Sequence, residues 1–241
     1  MRAETRHQLK QDRFSRATID AAERTAHWTV EHRSKLTVAG IVAAVVLAAG
    51  LGGWYYINQQ DLKASLELSK AIRIREAQLL PEGAAAEPGV PSFTSAKERS
   101  TEARKQFQAI VDKYPHTRSS DIALYFVGVA AADLGDNAAA ERDLRTIAAI
   151  RDPDLSSLAK FGLASVYRNT NRNKEAIDLY KQLMDKPSRT VGKAMAQLEL
   201  AATYQSSQQP DEAKRVYEQV QKENASTPAA QLASAKLAEM K

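Results

Sequence analysis

Hydrophobic and polar positions follow three different patterns along this chain. From Leu36 to Ile57 the run LTVAGIVAAVVLAAGLGGWYYI holds no charged residue. As a helix it would span roughly 33 Å, enough for a hydrocarbon core of about 30 Å. A water-soluble helix of that length carries a polar face, and this one offers only Thr37 and glycines. A cleaved signal has a shorter apolar core, about 7–15 residues, close to its start; here the run begins after 35 hydrophilic residues. Ala48, Ala49 and Gly50 would suit a peptidase, so cleavage is the alternative to a permanent transmembrane helix over 36–57.

On either side the pattern becomes amphipathic. Phe14, Ala17, Ala21, Thr25 and Trp28 follow spacings of three and four, with Arg13, Arg16 and Arg24 elsewhere around the same helix. This predicts a basic amphipathic arm over 1–35, either docking on a membrane surface or partner or serving only as a positive flank that sets topology. After the apolar run, DLKASLELSKAIRIREAQ continues as a helix, with Leu62, Leu66, Ser69 and Ile72 near one stripe. PEGAAAEPGVP, with three prolines and two glycines, then breaks it and predicts a loop at 81–95.

The third pattern repeats. EARKQFQAIVDKYP, AAERDLRTIAAIRDP, KEAIDLYKQLMDKP and DEAKRVYEQVQKEN each place a small residue, a large one four later, and another apolar three beyond. The small residues are Ala103, Ala140, Ala176 and Ala213, spaced 37, 36 and 37 apart. The large ones are Phe107, Leu144, Tyr180 and Tyr217, followed by Ile110, Ile147, Leu183 and Val220. Prolines 115, 153, 187 and 228 mark the close of each unit. IALYFVGVAAADLGD, LAKFGLASVYRNTNR and AMAQLELAATYQSSQ supply a preceding helix for the last three units, joined by short polar turns. The first unit would take its leading helix from 60–79, growing directly out of the apolar run. The final AAQLASAKLAEMK reads as a capping helix.

This arrangement resembles the tetratricopeptide repeat. Gly128, Ala164 and Ala201 stand where that motif wants a small residue at a helix crossing, and Tyr167 and Tyr204 where it wants an aromatic three later; Ala131 departs from it. With the apolar run and the absence of any convincing period-two alternation, the resemblance gives an all-α chain: a single N-terminal transmembrane helix followed by a tetratricopeptide-like α-solenoid over 58–241.

Charge supplies an orientation. Residues 1–35 carry eight Lys/Arg against five Asp/Glu, and 58–241 carry 26 against 24. Arg33 and Lys35 abut one end of the apolar run, and Trp54, Tyr55 and Tyr56 the other. That asymmetry predicts a cytoplasmic N-terminus and an exported C-terminal domain. Small residues four apart, such as Gly40 and Ala44 or Ala48 and Gly52, either admit a second membrane helix or merely fill the anchor. The absence of cysteine excludes disulfides and thiolate metal sites. No basic cluster interleaved with aromatics points to nucleic acid.

The order of arm, anchor and exported solenoid is similar to the bacterial YfgM-like family of ancillary translocon subunits. GGWYYI, DLKASLELSKAI and EARKQFQAIVDKYP with its long preceding loop carry that resemblance. It implies a bacterial inner-membrane protein with its solenoid in the periplasm. It also implies partners: Sec translocon subunits, a membrane-anchored chaperone of the prolyl isomerase type, and exported chains. The alternative function is a structural scaffold in envelope assembly or cell division, and a third reading is a cytosolic enzyme regulator acting through the arm.

In tetratricopeptide domains the first helix of each unit lines the inner face. By that register the partner-binding groove comprises Ile122, Tyr125 and Val129, with Ala132; then Leu158, Phe161, Ser165 and Arg168; then Met195, Leu198 and Gln205, with Ala202. The lining is apolar apart from Arg168, and it lacks the Lys and Asn with which some versions of the fold clamp a terminal carboxylate. Such a groove suits a helix or an unfolded segment, or else the chain's own loop or C-terminal helix fills it. No catalytic residues, metal or cofactor are expected. His116 is the only histidine after the anchor, and no nucleophile–base–oxyanion set can be assembled around it.

Overall fold

The computed structural model describes residues 32–81 and 89–240. Almost all of the basic arm read over 1–35 lies outside them, as does most of the Pro/Gly stretch. The chain divides into two compact units, Met1–Tyr56 and Ile57–Lys241. Helix α1 (Arg33–Arg75) contributes to both.

In the first unit, the α1 side chains are exposed throughout, from Val38 through Leu47 and Leu51 to Tyr56. The helix is long and apolar enough to cross a membrane, and none of its most apolar window is buried within the protein.

The second unit is helical. Its elements after α1 are a two-residue pair β1 (Gln78–Leu79) and β2 (Ser92–Phe93), then α2 (Ala96–Lys113), α3 (Arg118–Asp133), α4 (Asn137–Ala148) and α5 (Pro153–Asn169). They continue with α6 (Asn173–Asp185), α7 (Lys193–Ser206), α8 (Pro210–Glu223) and α9 (Pro228–Glu239). Successive helices pack in chain order as hairpins α3/α4, α5/α6 and α7/α8, and α9 lies on α8. The residues that define the repeat are the core. Ala140, Leu144, Ile147, Ala176, Tyr180, Ala213 and Val220 are all fully buried, as are Ala164 and Ala201 at the helix crossings. Each large side chain taken from water there contributes about 1.5–3 kcal/mol. At Gly128 the crossing leaves no room for a side chain: a Cβ placed on it would lie 2.9 Å from Leu144 Cγ.

The leading half-unit differs from the sequence expectation in three ways. The helix ends at Arg75 rather than 79. The chain then pairs Gln78 with Ser92 and Leu79 with Phe93 in parallel, so the all-α reading gains a two-residue sheet, and the loop read at 81–95 is shorter. The α1 stripe that meets α2 is Ala64, Leu68 and Ala71, packed with Phe107 and Ile110, whereas Leu62 and Leu66 face outward at 57% and 68% exposure. Alanine at the contact lets two backbones approach, and the bulkier leucine pair is turned away. Glu67 fixes the register by accepting from Lys113 Nζ at 2.7 Å and from the Tyr114 hydroxyl at 2.8 Å.

Turn chemistry explains the hairpins. Gly135, Asn171 and Gln208 occupy the same place in three successive turns, each with positive φ (80°, 59° and 59°). In each, the next residue's N–H reaches back to a helix carbonyl: Asp136 to Ala131, Arg172 to Tyr167 and Gln209 to Tyr204, at 2.8–2.9 Å. This is the left-handed cap that ends a helix and reverses the chain. Two of the prolines read as closing a unit open the next helix instead. Pro153 and Pro228 sit in the first turns of α5 and α9, behind the caps Asp152 and Thr227, where a missing N–H costs nothing.

Candidate protein-binding face

The first helices α3, α5 and α7 carry all ten residues assigned to the groove. Ile122, Tyr125, Val129, Leu158, Phe161 and Leu198 are half-buried, with their inner surfaces packed on the solenoid core. Ser165 and Arg168 are also half-buried, Met195 is 44% exposed, and Gln205 is exposed. Spacings of three and four along each helix keep the set on one flank. Each helix buries its other flank against its partner, which is why these side chains are seated but not enclosed.

Aromatic contacts hold the stripe on its first two helices, α3 and α5. Tyr125 meets Phe126 edge-on at 5.1 Å between ring centroids, and Phe126 stacks on Phe107 at 4.9 Å with the Arg75 guanidinium 5.0 Å away on the ring. Phe161 meets Tyr180 edge-on at 5.6 Å. Edge-on and offset stacked contacts of this kind favour one ring orientation. Burial pushes the Tyr125 phenol above its ordinary pKa, opposed by the nearby Arg75 charge. Burial raises Tyr180 further, and its hydroxyl is enclosed without a hydrogen-bond partner.

Arg168, read as a lone cation in an apolar lining, is paired. Its Nη1 donates to Glu199 Oε2 on α7 at 2.5 Å, linking two successive units across the stripe. Glu199 is a component that sequence reasoning missed. It follows Leu198, one step off the lining register, and only the inter-helix spacing brings it to Arg168.

Ion pairs join other neighbouring units on the remaining flanks. Arg104 pairs with Asp136 at 3.0 Å, Arg118 with Asp152 at 3.0 Å, and Arg172 with Glu141 at 2.7 Å while its guanidinium lies 4.1 Å from the Tyr167 ring centroid. Glu223 accepts from Gln219, Lys193 and Gln197, and these bonds hold its carboxyl down at about 2. His116 is an exposed turn residue with φ 65°. Among the described residues no cluster of three or more His, Asp or Glu is arranged to hold a metal.

The half-exposed apolar side chains thus stand on stacked helical hairpins. The sequence profile of the tetratricopeptide repeat-like domain matches residues 26–182, and that of the tetratricopeptide repeat matches residues 195–227. The first match alone covers more than half of the chain, which therefore belongs to the tetratricopeptide repeat-like domain family. Two crystal structures of nearly identical TPR-like repeats of a kinesin light chain from Podosopora anserina, one a point variant, are similar in fold. Both have a TM-score of 0.56, at 19% and 18% identity, over 75% of this chain and 85% or 86% of theirs. That likeness establishes the solenoid fold and nothing about cargo. No curated protein matches the chain. Membership in the family makes this a protein–protein interaction adaptor.

Proposed function

We propose that the chain is a membrane-anchored, non-catalytic adaptor. Helix α1 crosses a bacterial inner membrane over 36–57 with the N-terminus in the cytoplasm, and the solenoid over 58–241 works in the periplasm. Its role there is to assist Sec translocon subunits and a membrane-anchored prolyl isomerase-type chaperone in handling exported chains. The observation that carries this reading is the stripe on α3, α5 and α7: Tyr125, Phe161 and Leu198, from three successive units, are half-buried apolar side chains packed on the core, and the cation beside them is already neutralised. Such a surface suits the apolar face of a helix or an unfolded segment better than a charged terminus. The family profile, which begins at residue 26 and takes in α1 together with the first repeats, supports reading the apolar helix as part of the family's sequence pattern.

Photo-crosslinkers placed singly at Tyr125, Phe161 and Leu198 in native membranes test the reading. Translocon subunits, the chaperone or nascent exported chains are the expected products. Capture of division or wall-synthesis proteins alone would replace it with the scaffold alternative. Protease added to the cytosolic face of intact vesicles should leave the solenoid whole; digestion of residues 58–241 would overturn the topology.

A further inference from the structure

The connections between consecutive units are unequal. Residues 114–117, 149–152 and 224–227 make four-residue links, whereas residues 186–192 make a seven-residue one between α6 and α7. The extra length is folded back and fastened. The Arg189 backbone N–H, Nε and Nη2 all donate to the Asp154 carboxylate near the start of α5, and the Thr190 hydroxyl donates to the Asp154 carbonyl at 2.7 Å. Val191 is fully buried beside them, and Ser188 and Val191 close the loop by exchanging hydrogen bonds at 3.0 Å. A loop held at this many points is a wall with a fixed position.

Behind that wall lies a cavity of about 940 Å³. Its apolar floor includes Ile150 and Leu183. Three cations come to it from three elements: Arg151 after α4, Lys160 on α5 and Lys186 at the loop. None of the three is in an ion pair among the described residues, while Asp154 is already occupied by Arg189. Against them stands Asp185 alone. Ser157 is 92% buried, lines the cavity, and its hydroxyl makes no hydrogen bond within the described chain. None of the ten residues assigned to the groove lines this cavity. The site is therefore distinct from the proposed groove and does not rest on it.

We propose that this cavity binds an acidic, leucine-containing peptide segment of a partner protein. The three spread cations call for more than one carboxylate, the Ser157 hydroxyl can donate to one of them, and the apolar floor takes an aliphatic side chain between them. The volume is several times what a single small anion fills.

The full-length protein in detergent micelles is titrated into a fluorescein-labelled Glu/Leu peptide and followed by anisotropy. The expected results are saturable binding that weakens with added salt, no competition from a Gln/Leu peptide of the same length, and an affinity about tenfold lower in Lys160→Gln/Lys186→Gln. Ser157→Ala should lower it less, and Lys222→Gln, at an exposed cation of α8 outside the cavity, should leave it unchanged. Equal binding of the Gln/Leu peptide, or unaltered affinity in the lysine variant with its helical circular dichroism intact, would overturn the proposal. Saturation by inorganic phosphate or by phosphatidylglycerol vesicles, without binding of the Glu/Leu peptide, would also overturn it and assign the cavity to that anion.

Discussion

At the scale of single residues, the repeated turn position sets a hierarchy. Gly135 adopts the left-handed conformation freely, Asn171 adopts it with tolerance, and Gln208 adopts it against its side chain. Replacing Gln208→Gly should therefore raise stability by about 1 kcal/mol, while Gly135→Ala should lower it by a similar amount, both read from urea midpoints. Gly128 acts through space instead. Gly128→Ala pushes a methyl group into Leu144 and should cost about 1–3 kcal/mol. Combining it with Leu144→Ala should cost less than the sum of the two single changes, because the second removes the atom the first collides with. The small and large positions of the repeat were legible in the sequence because burial selects for size at a fixed period. The left-handed turns were legible only at Gly135, since neither Asn171 nor Gln208 announces its backbone angle.

Among elements, the helices declared themselves by period and the connections did not. The β1–β2 pair is too short to show alternation, and the outward turn of Leu62 and Leu66 depends on which alanines α2 can approach, a matter of packing that hydrophobicity alone reads backwards. The link between α7 and α8 carries a pH dependence. Glu223 sits at about 2 when folded, against 4.5 unperturbed, because Gln219, Lys193 and Gln197 donate to its charged form. A depressed folded value means that the unfolded chain takes up the proton first. The stabilisation is thus complete above about pH 4.5 and is lost as pH falls toward about 2. Glu223→Gln should flatten the acid side of the thermal-midpoint profile in that window and leave its slope near neutrality unchanged.

Across the whole solenoid, each unit touches little beyond its neighbours, so the terminal helix α9 has a disproportionate task. Ala230 and Ala233 are buried on α9, and Ala233 belongs to the same core cluster as Tyr217 and Val220. Removing residues 227–241 would uncover that end, lowering the unfolding midpoint and producing concentration-dependent association measurable by light scattering. That Ile122, Phe161 and Leu198 are each half-buried against the core was legible, because it follows from the repeat register. The cavity beside Lys160 was not, since three unpaired cations scattered over residues 151–186 become neighbours only when an irregular loop folds back. The hydrophobic cluster built from the earlier part of the solenoid has a consequence for biosynthesis. Its buried members run from Ala64 to Val127 and include nothing later. A nascent chain can therefore complete this nucleus while nearly half of the protein is still unmade, and each later hairpin condenses onto a finished template.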